Sequence, residues 1–230
     1  MTLSAPATSA ASQDNFATQV LSQLKHDILT GYYNPGEKLR MARLKERYQV
    51  GVSPLREALS QLLVEQLVVV ENQRGFKVHP TSHDELKDIY QTRASIEALC
   101  VEQAIHLGDD AWEASILAAA HQLKKSAQLL DNTLLNRQRW EKLHHDFHTA
   151  ICLGCQSPAL MHVRLGLYEK ASRYRNLWLK QHMIESTVFD VSMKEHHELV
   201  ELLLKRDKNA VALITSHLQA PFRLLKDSQF

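Results

Sequence analysis

Glycine and proline are unevenly spread along this chain, and that asymmetry limits its architecture more than any other feature. Of 7 Gly and 6 Pro, most fall before residue 81, and later ones such as Gly154 and Pro158 stand isolated. Both residues punctuate secondary structure, glycine by admitting left-handed backbone and proline by fixing φ and lacking an N–H. A turn-rich segment followed by long helices is expected, so the fold class is mainly α. The 230 residues suffice for two modest domains, each with its own core.

Residues 1–15 are rich in Ala, Ser and Thr, without a basic n-region or an apolar h-region, and read as a disordered tail rather than a signal peptide. From about Phe16 to Thr30, Val20, Leu21, Leu24, Ile28 and Leu29 recur at helical spacing, and Gly31 ends the pattern. After the Tyr32–Gly36 turn, a short helix fits Met41 to Tyr48. A third helix fits Ser53 to about Gln66, with Ser53 as its N-cap and Pro54 at the first helical position. Leu67 to Val70 and Phe76 to Val78 are β-rich and flank a turn at Asn72–Gly75, which reads as a hairpin. Three helices and a hairpin within residues 16–80 describe a winged helix-turn-helix. Pro80, Thr81 and Ser82 mark the boundary. Residues 81–230 show only helical periodicity, in six or seven helices without a fixed repeat, which describes an all-α helical bundle.

Composition removes several function classes. With 27 Lys+Arg against 26 Asp+Glu the formal charge is +1, so any basic surface must be local. No run of ~18 apolar residues occurs, so no membrane-spanning helix is expected. The 3 Cys lack disulfide-framework spacing, which points to a reducing, cytoplasmic setting. Cys152 and Cys155 form a C-x-x-C, but no second such pair exists to complete a four-thiolate zinc site, and buried thiols are the expectation.

In a helix-turn-helix, the N-terminal residues of the second helix meet base edges in the major groove. Here that helix begins Ser53, Pro54, Leu55, Arg56, Glu57, and Arg56 is the one long cation in its first turns. Arg56 can reach guanine O6/N7 or a phosphate, Ser53 can donate, and the helix N-terminus favours a phosphate. Lys38, Arg40, Arg43, Lys45 and Arg47 place five cations in ten residues just before it. Arg74 and Gly75 at the hairpin tip suit minor-groove or backbone contact. The candidate DNA-binding set is Arg40, Arg43, Arg47, Ser53, Pro54, Arg56, Arg74 and Gly75.

At these residues the chain resembles the GntR family of bacterial regulators. The resemblance covers residues 18–80. It rests on Pro35 to Leu39, on Leu44 and Arg47, on Val50 to Leu59, and on the wing string Arg74 to Val78. It implies a repressor or activator that reads double-stranded operator DNA. Gly51 and Val52 stand where the family usually has Ser-Arg, so one common base-reading arginine is missing and more weight falls on Arg56 and on Arg40 or Arg43.

The second half holds a different chemistry. Among 13 His, His144 and His148 are spaced i, i+4 and share one helical face. His196 and His217 lie on later helices, and three converging helices could bring all four to one metal. Asp146 falls on another face. A histidine pair of this kind is also a common surface or core feature. The segment lacks the glutamate of an H-E-x-x-H protease and any nucleophile elbow, so no enzyme is expected.

This half is similar to the FCD ligand-binding domain of the FadR-type branch of GntR regulators. The similarity rests on Tyr90, Arg93 and Glu97 at Tyr-x-x-Arg-x-x-x-Glu spacing, on His144 and His148, on Glu195-His196, and on His217 after Arg206-Asp207. It implies a divalent metal with a small carboxylate bound beside it. The usual ligands are one Asp and three His, and here His144 stands where Asp is usual. Four neutral imidazoles favour zinc or nickel over magnesium or calcium. Arg93 with Tyr90, and Arg173 or Arg175, are candidates to bind an anionic effector by bidentate hydrogen bonds. Within the branch the chain resembles CsiR-type repressors of glutarate and 4-aminobutyrate catabolism, which implies a small dicarboxylate effector with glutarate foremost. Pairing of two chains through the helical domains would match a two-fold operator. A constitutive regulator with an inert dimerisation bundle and a helical metalloenzyme remain the alternatives.

Overall fold

The computed structural model describes residues 10–71, 75–127, 134–181 and 186–225. They fall into two compact units. One runs up to Ser82 and is joined by Ser172–Leu177; the other comprises His83–Ala171 and Trp178 onward.

In the first unit, α1 (Ala10–Leu29) packs on α3 (Val52–Val64), with α2 (Met41–Tyr48) against α3. Their apolar stripes meet in a core of Leu24, Ile28, Leu44, Leu55, Leu59 and Leu62, all at most 1% exposed. The wing is a three-stranded antiparallel sheet in the order β1-β3-β2, from β1 (Lys38–Leu39), β2 (Val68–Glu71) and β3 (Gly75–Val78). Register pairs Val68 with Val78 and Glu71 with Gly75, while Leu39 lies opposite Phe76. The strand β1 was not legible as a strand. Two residues carry no period, and their pairing with β3 is a long-range choice.

Two local readings are corrected. The first helix begins at Ala10 rather than Phe16, so residues 10–15 of the expected tail are helical; residues 1–9 lie outside the described residues. The N-cap of α3 is Gly51 in extended backbone, not Ser53, and no side chain caps that end. Gln49 closes α2 in the left-handed region at φ 54 and donates its N–H to the Lys45 carbonyl. That turn uses up Gln49 and Val50, which moves the next helical start to Val52.

The second unit is all helical: α4 (His83–Leu107), α5 (Asp110–Ala127), α6 (Leu134–Leu153), α7 (Pro158–Gln181, except the Ser172–Leu177 stretch that groups with the first unit), α8 (Ser186–Leu204) and α9 (Asn209–Leu225). Asp109 starts α5 as a side-chain cap, its Oδ1 accepting from the Trp112 N–H at 2.8 Å. Trp112 then anchors the core, donating Nε1–H to the Ile151 carbonyl at 3.0 Å. Gly154 is required there, because a Cβ would fall 2.5 Å from Trp112 Nε1 and 2.8 Å from the Ala104 Cβ. Arg206, a non-glycine at φ 55, holds the α8–α9 turn by an ion pair to Glu113 at 2.6 Å and a hydrogen bond to the Ala104 carbonyl. No described helix is long and apolar enough to cross a membrane.

Candidate functional site

Three helices of the second unit bring the four histidines together. His144 and His148 project from α6 one turn apart, His196 comes from α8 and His217 from α9. All four are buried, and one nitrogen from each lies within 4.8 Å of the others. The Nε2 atoms of His144 and His148 are 3.2 Å apart, and those of His196 and His217 are 3.1 Å apart. Imidazoles bound to one first-row ion at ~2.0–2.1 Å stand about 3.3 Å apart in a tetrahedral shell, so the spacing fits a divalent metal.

Two carboxylates back these rings from outside. Nδ1 of His217 donates to Glu195 Oε2 at 2.7 Å, and Nδ1 of His148 faces Glu97 Oε2 at 3.4 Å. Each carboxylate favours the tautomer with its proton on Nδ1, which turns an Nε2 lone pair inward. Burial pushes His148 down to about 3 and also holds His196 well below its ordinary value, so both rings stay neutral. Trp140 stacks on His144 at 4.8 Å, and Phe147 meets His148 and His196 edge-on. Asp146 pairs instead with Lys142 at 2.6 Å.

Beside the histidines lies a buried charge cluster that sequence reasoning only partly found. Glu97 is fully buried and accepts from Arg93 Nε at 2.8 Å, while Arg164 Nε on α7 stands 3.5 Å from the same oxygen. Burial raises the Glu97 carboxyl, but the Arg93 and Arg164 charges and the His148 hydrogen bond outweigh it, leaving it well below the usual carboxylate range. Arg164 also donates Nη1–H to Thr149 Oγ1 at 3.0 Å. Nη2 of Arg93 and Nη2 of Arg164 are buried without a hydrogen-bond partner among the described residues. Tyr90 is buried on the same helix as Arg93. The i, i+4 spacing of Arg93 and Glu97 was a readable signal, whereas nothing in the sequence marked Arg164. Arg173 is engaged elsewhere: it donates to the His79 carbonyl, and Arg175 lies with it in the Ser172–Leu177 segment that groups with the first unit.

On the winged helix the candidate cations separate into two kinds. Arg47 pairs with Asp27 at 2.6 Å, with its guanidinium 3.6 Å from the Tyr32 ring centroid, and Tyr48 donates to the same Asp27 oxygen. Arg43 pairs with Glu37 at 2.6 Å. Arg40, the N-cap of α2, and Arg56, in the first turns of α3, are exposed. Neither takes part in a described ion pair. Ser53 is exposed and Pro54 half-buried in the first turn of α3, while Gly75 is exposed at the start of β3. Arg74 lies outside the described residues.

Comparison with known proteins matches these two units. Residues 16–78 fit the model for bacterial regulatory proteins of the gntR family, and residues 88–220 fit the FCD domain. The chain is 42% identical over 206 residues to the HTH-type transcriptional repressor GlaR of Escherichia coli K12, covering 89% of this chain and 93% of GlaR. It is 31% identical to the uncharacterized HTH-type transcriptional regulator BphR of Paraburkholderia xenovorans LB400, covering 89% of this chain and 82% of BphR. The fold is that of E. coli McbR/YncC, with a TM-score of 0.75 at 21% identity, covering 91% of this chain and 96% of that one. A putative GntR regulator from Rhodococcus sp. RHA1 superposes with a TM-score of 0.72 at 18% identity, covering 94% and 100% of the two chains. With a winged helix-turn-helix joined to an FCD domain, this chain belongs to the GntR family of bacterial transcriptional regulators, not to an enzyme family.

Proposed function

We propose that the chain is a cytoplasmic, homodimeric repressor that binds a two-fold operator and releases it when a small dicarboxylate, glutarate foremost, enters the second unit beside a metal. The observation that carries this reading is the pairing of four inward-facing histidine nitrogens with two buried arginines whose Nη2 groups lack a hydrogen-bond partner among the described residues. An unsatisfied buried donor costs about 1–3 kcal/mol, which an inert dimerisation bundle would have no reason to retain. Arg93 and Arg164 carry two positive charges against the one negative charge of Glu97. That leaves an excess positive charge suited to an anion.

His144, His148, His196 and His217 would hold the ion, and their neutral donor set favours zinc or nickel. A divalent cation bound there would supply a Lewis-acid seat for a carboxylate oxygen. Arg93 and Arg164 would then bind and orient the dianion through their remaining N–H groups, with Tyr90 on the same helix as Arg93. On the winged unit, Arg56 and Ser53 would read the major groove, Arg40 and the first-turn amides of α3 would hold phosphate, and Arg74 and Gly75 would follow the wing into the minor groove. Arg43 and Arg47 would brace α2 through Glu37 and Asp27. The effector releases DNA only if it binds the DNA-incompetent arrangement better.

Fluorescence anisotropy on DNA from upstream of its own gene, with and without millimolar glutarate, tests both halves. Specific binding lost on adding glutarate is expected. Specific binding indifferent to glutarate and to other small dicarboxylates would overturn the effector reading. Salt-sensitive binding without sequence preference would overturn the operator reading.

A further inference from the structure

All three cysteines are buried free thiols and form one cluster, with Ile96, Leu160 and Met161 packed against it. Cys100 lies on α4 one turn beyond Glu97. Cys152 lies on α6 one turn beyond His148, and Cys155 follows in the turn before α7. Cys100 packs in one cluster with both other thiols, and the neighbouring Cys152 thiol is the main cause that lowers Cys100 from its ordinary value. The neighbouring Cys100, with burial, pushes the Cys152 thiol up, so Cys100 is the sulfur with more thiolate character. Cys152 Sγ also lies 3.8 Å from Glu97 Oε2, the oxygen that faces His148 Nδ1 at 3.4 Å. Cys155 is held by its own turn, accepting from the Ser157 N–H at 3.4 Å.

We propose that Cys100 and Cys152 are an oxidation site for small hydroperoxides, closing a disulfide between α4 and α6. Cys100 attacks the terminal peroxide oxygen, the O–O bond breaks, and the departing oxygen leaves with a proton as water or an alcohol. The resulting sulfenic acid on Cys100 is then displaced by Cys152, forming the S–S bond and releasing water. Two thiols are thereby oxidised by two electrons and one hydroperoxide is reduced. Burial restricts the oxidant to a molecule near the size of water, which sets hydrogen peroxide apart from bulky aromatic disulfide reagents.

The bond has a consequence for the neighbouring histidines. Two packed thiol sulfurs must close to about 2.05 Å to bond, and a close-packed interior cannot absorb that without moving α4 against α6. Glu97 and His148 sit one turn away on those two helices, and Glu97 also loses the Cys152 S–H beside it. This second step rests on the metal reading above; the thiol chemistry does not.

The test treats the native full-length chain with hydrogen peroxide, quenches with an alkylating agent and measures intact mass and peptide cross-links. Expected is loss of two of the three alkylatable thiols, a mass decrease of about 2 Da before alkylation, and a Cys100–Cys152 linked peptide pair. Cys155→Ser should retain the cross-link, and Cys100→Ser and Cys152→Ser should each abolish it. Three thiols still alkylatable in the wild type, a bond to Cys155, or an intermolecular link would each overturn the assignment. Zinc affinity, read by chelator competition, should fall at least about tenfold on oxidation and recover with dithiothreitol. Unchanged affinity in the cross-linked protein would overturn the coupling. A chain that binds no zinc in either redox state would refute the metal reading, with the thiol count still deciding the oxidation site.

Discussion

Replacing Glu97 by Gln keeps the size of the side chain and removes the charge on which two helices and one histidine converge. Glu97 is 0% exposed, and its partners Arg93 and Arg164 are 2% and 1% exposed. In Glu97→Gln two buried guanidinium groups lose their only described counter-ion. Breaking a buried pair in this way costs about 3–5 kcal/mol, a large share of the ~5–15 kcal/mol that holds a typical domain folded. Trp112 and Trp140 are buried in the second unit, so intrinsic fluorescence in a urea titration reports its unfolding. With a slope near 2 kcal/mol per M, the midpoint should fall by about 2 M. The amide also holds His148 Nδ1 less firmly than a carboxylate, so zinc affinity should drop about 10–100-fold. Adding Arg164→Met to Glu97→Gln removes one stranded charge and should recover part of the lost stability. A Glu97→Gln protein within about 1 kcal/mol of wild type, binding zinc equally well, would refute the view that this carboxylate compensates the arginines and orients the histidine.

Further outcomes are expected. Gly154→Ala should destabilise the second unit by about 1–3 kcal/mol through overpacking on Trp112, measured in the same titration. Arg56→Ala should weaken operator binding by about 1–3 kcal/mol, and anisotropy unchanged from wild type would remove Arg56 from the interface. Arg47→Ala should act mainly on the first unit, lowering its stability by about 1 kcal/mol because the Asp27 carboxylate loses Arg47 and keeps the Tyr48 hydrogen bond, while operator affinity falls less than in Arg56→Ala. His148→Ala with His196→Ala, or dialysis against a chelator, should abolish bound metal and effector response but leave operator binding; His144→Asp should instead retain metal and shift preference toward harder cations.

Local signals in the chain determined the kind and order of its elements. Helical period, Gly31, the Pro80 boundary and β-rich runs at 67–70 and 76–78 act over a few residues, so α2, the β2–β3 hairpin and the helical second half were legible. The histidines were legible as candidates because an i, i+4 pair shares a helix face whatever surrounds it. Only the tertiary structure decided which side chains meet. Arg47 and Arg56 look alike in sequence, yet Asp27 captures Arg47 across 20 residues, while Arg56 is exposed on α3. Arg164 lies far along the chain from Glu97 and reaches the same carboxylate as Arg93 because α4 and α7 bring them together. Glu97 was legible as a partner of Arg93, but that it backs His148, and that Glu195 backs His217, is visible only where the rings stand beside them. Chemistry of this kind depends on ångström-scale approach between helices, and periodicity along one helix holds no information about that distance.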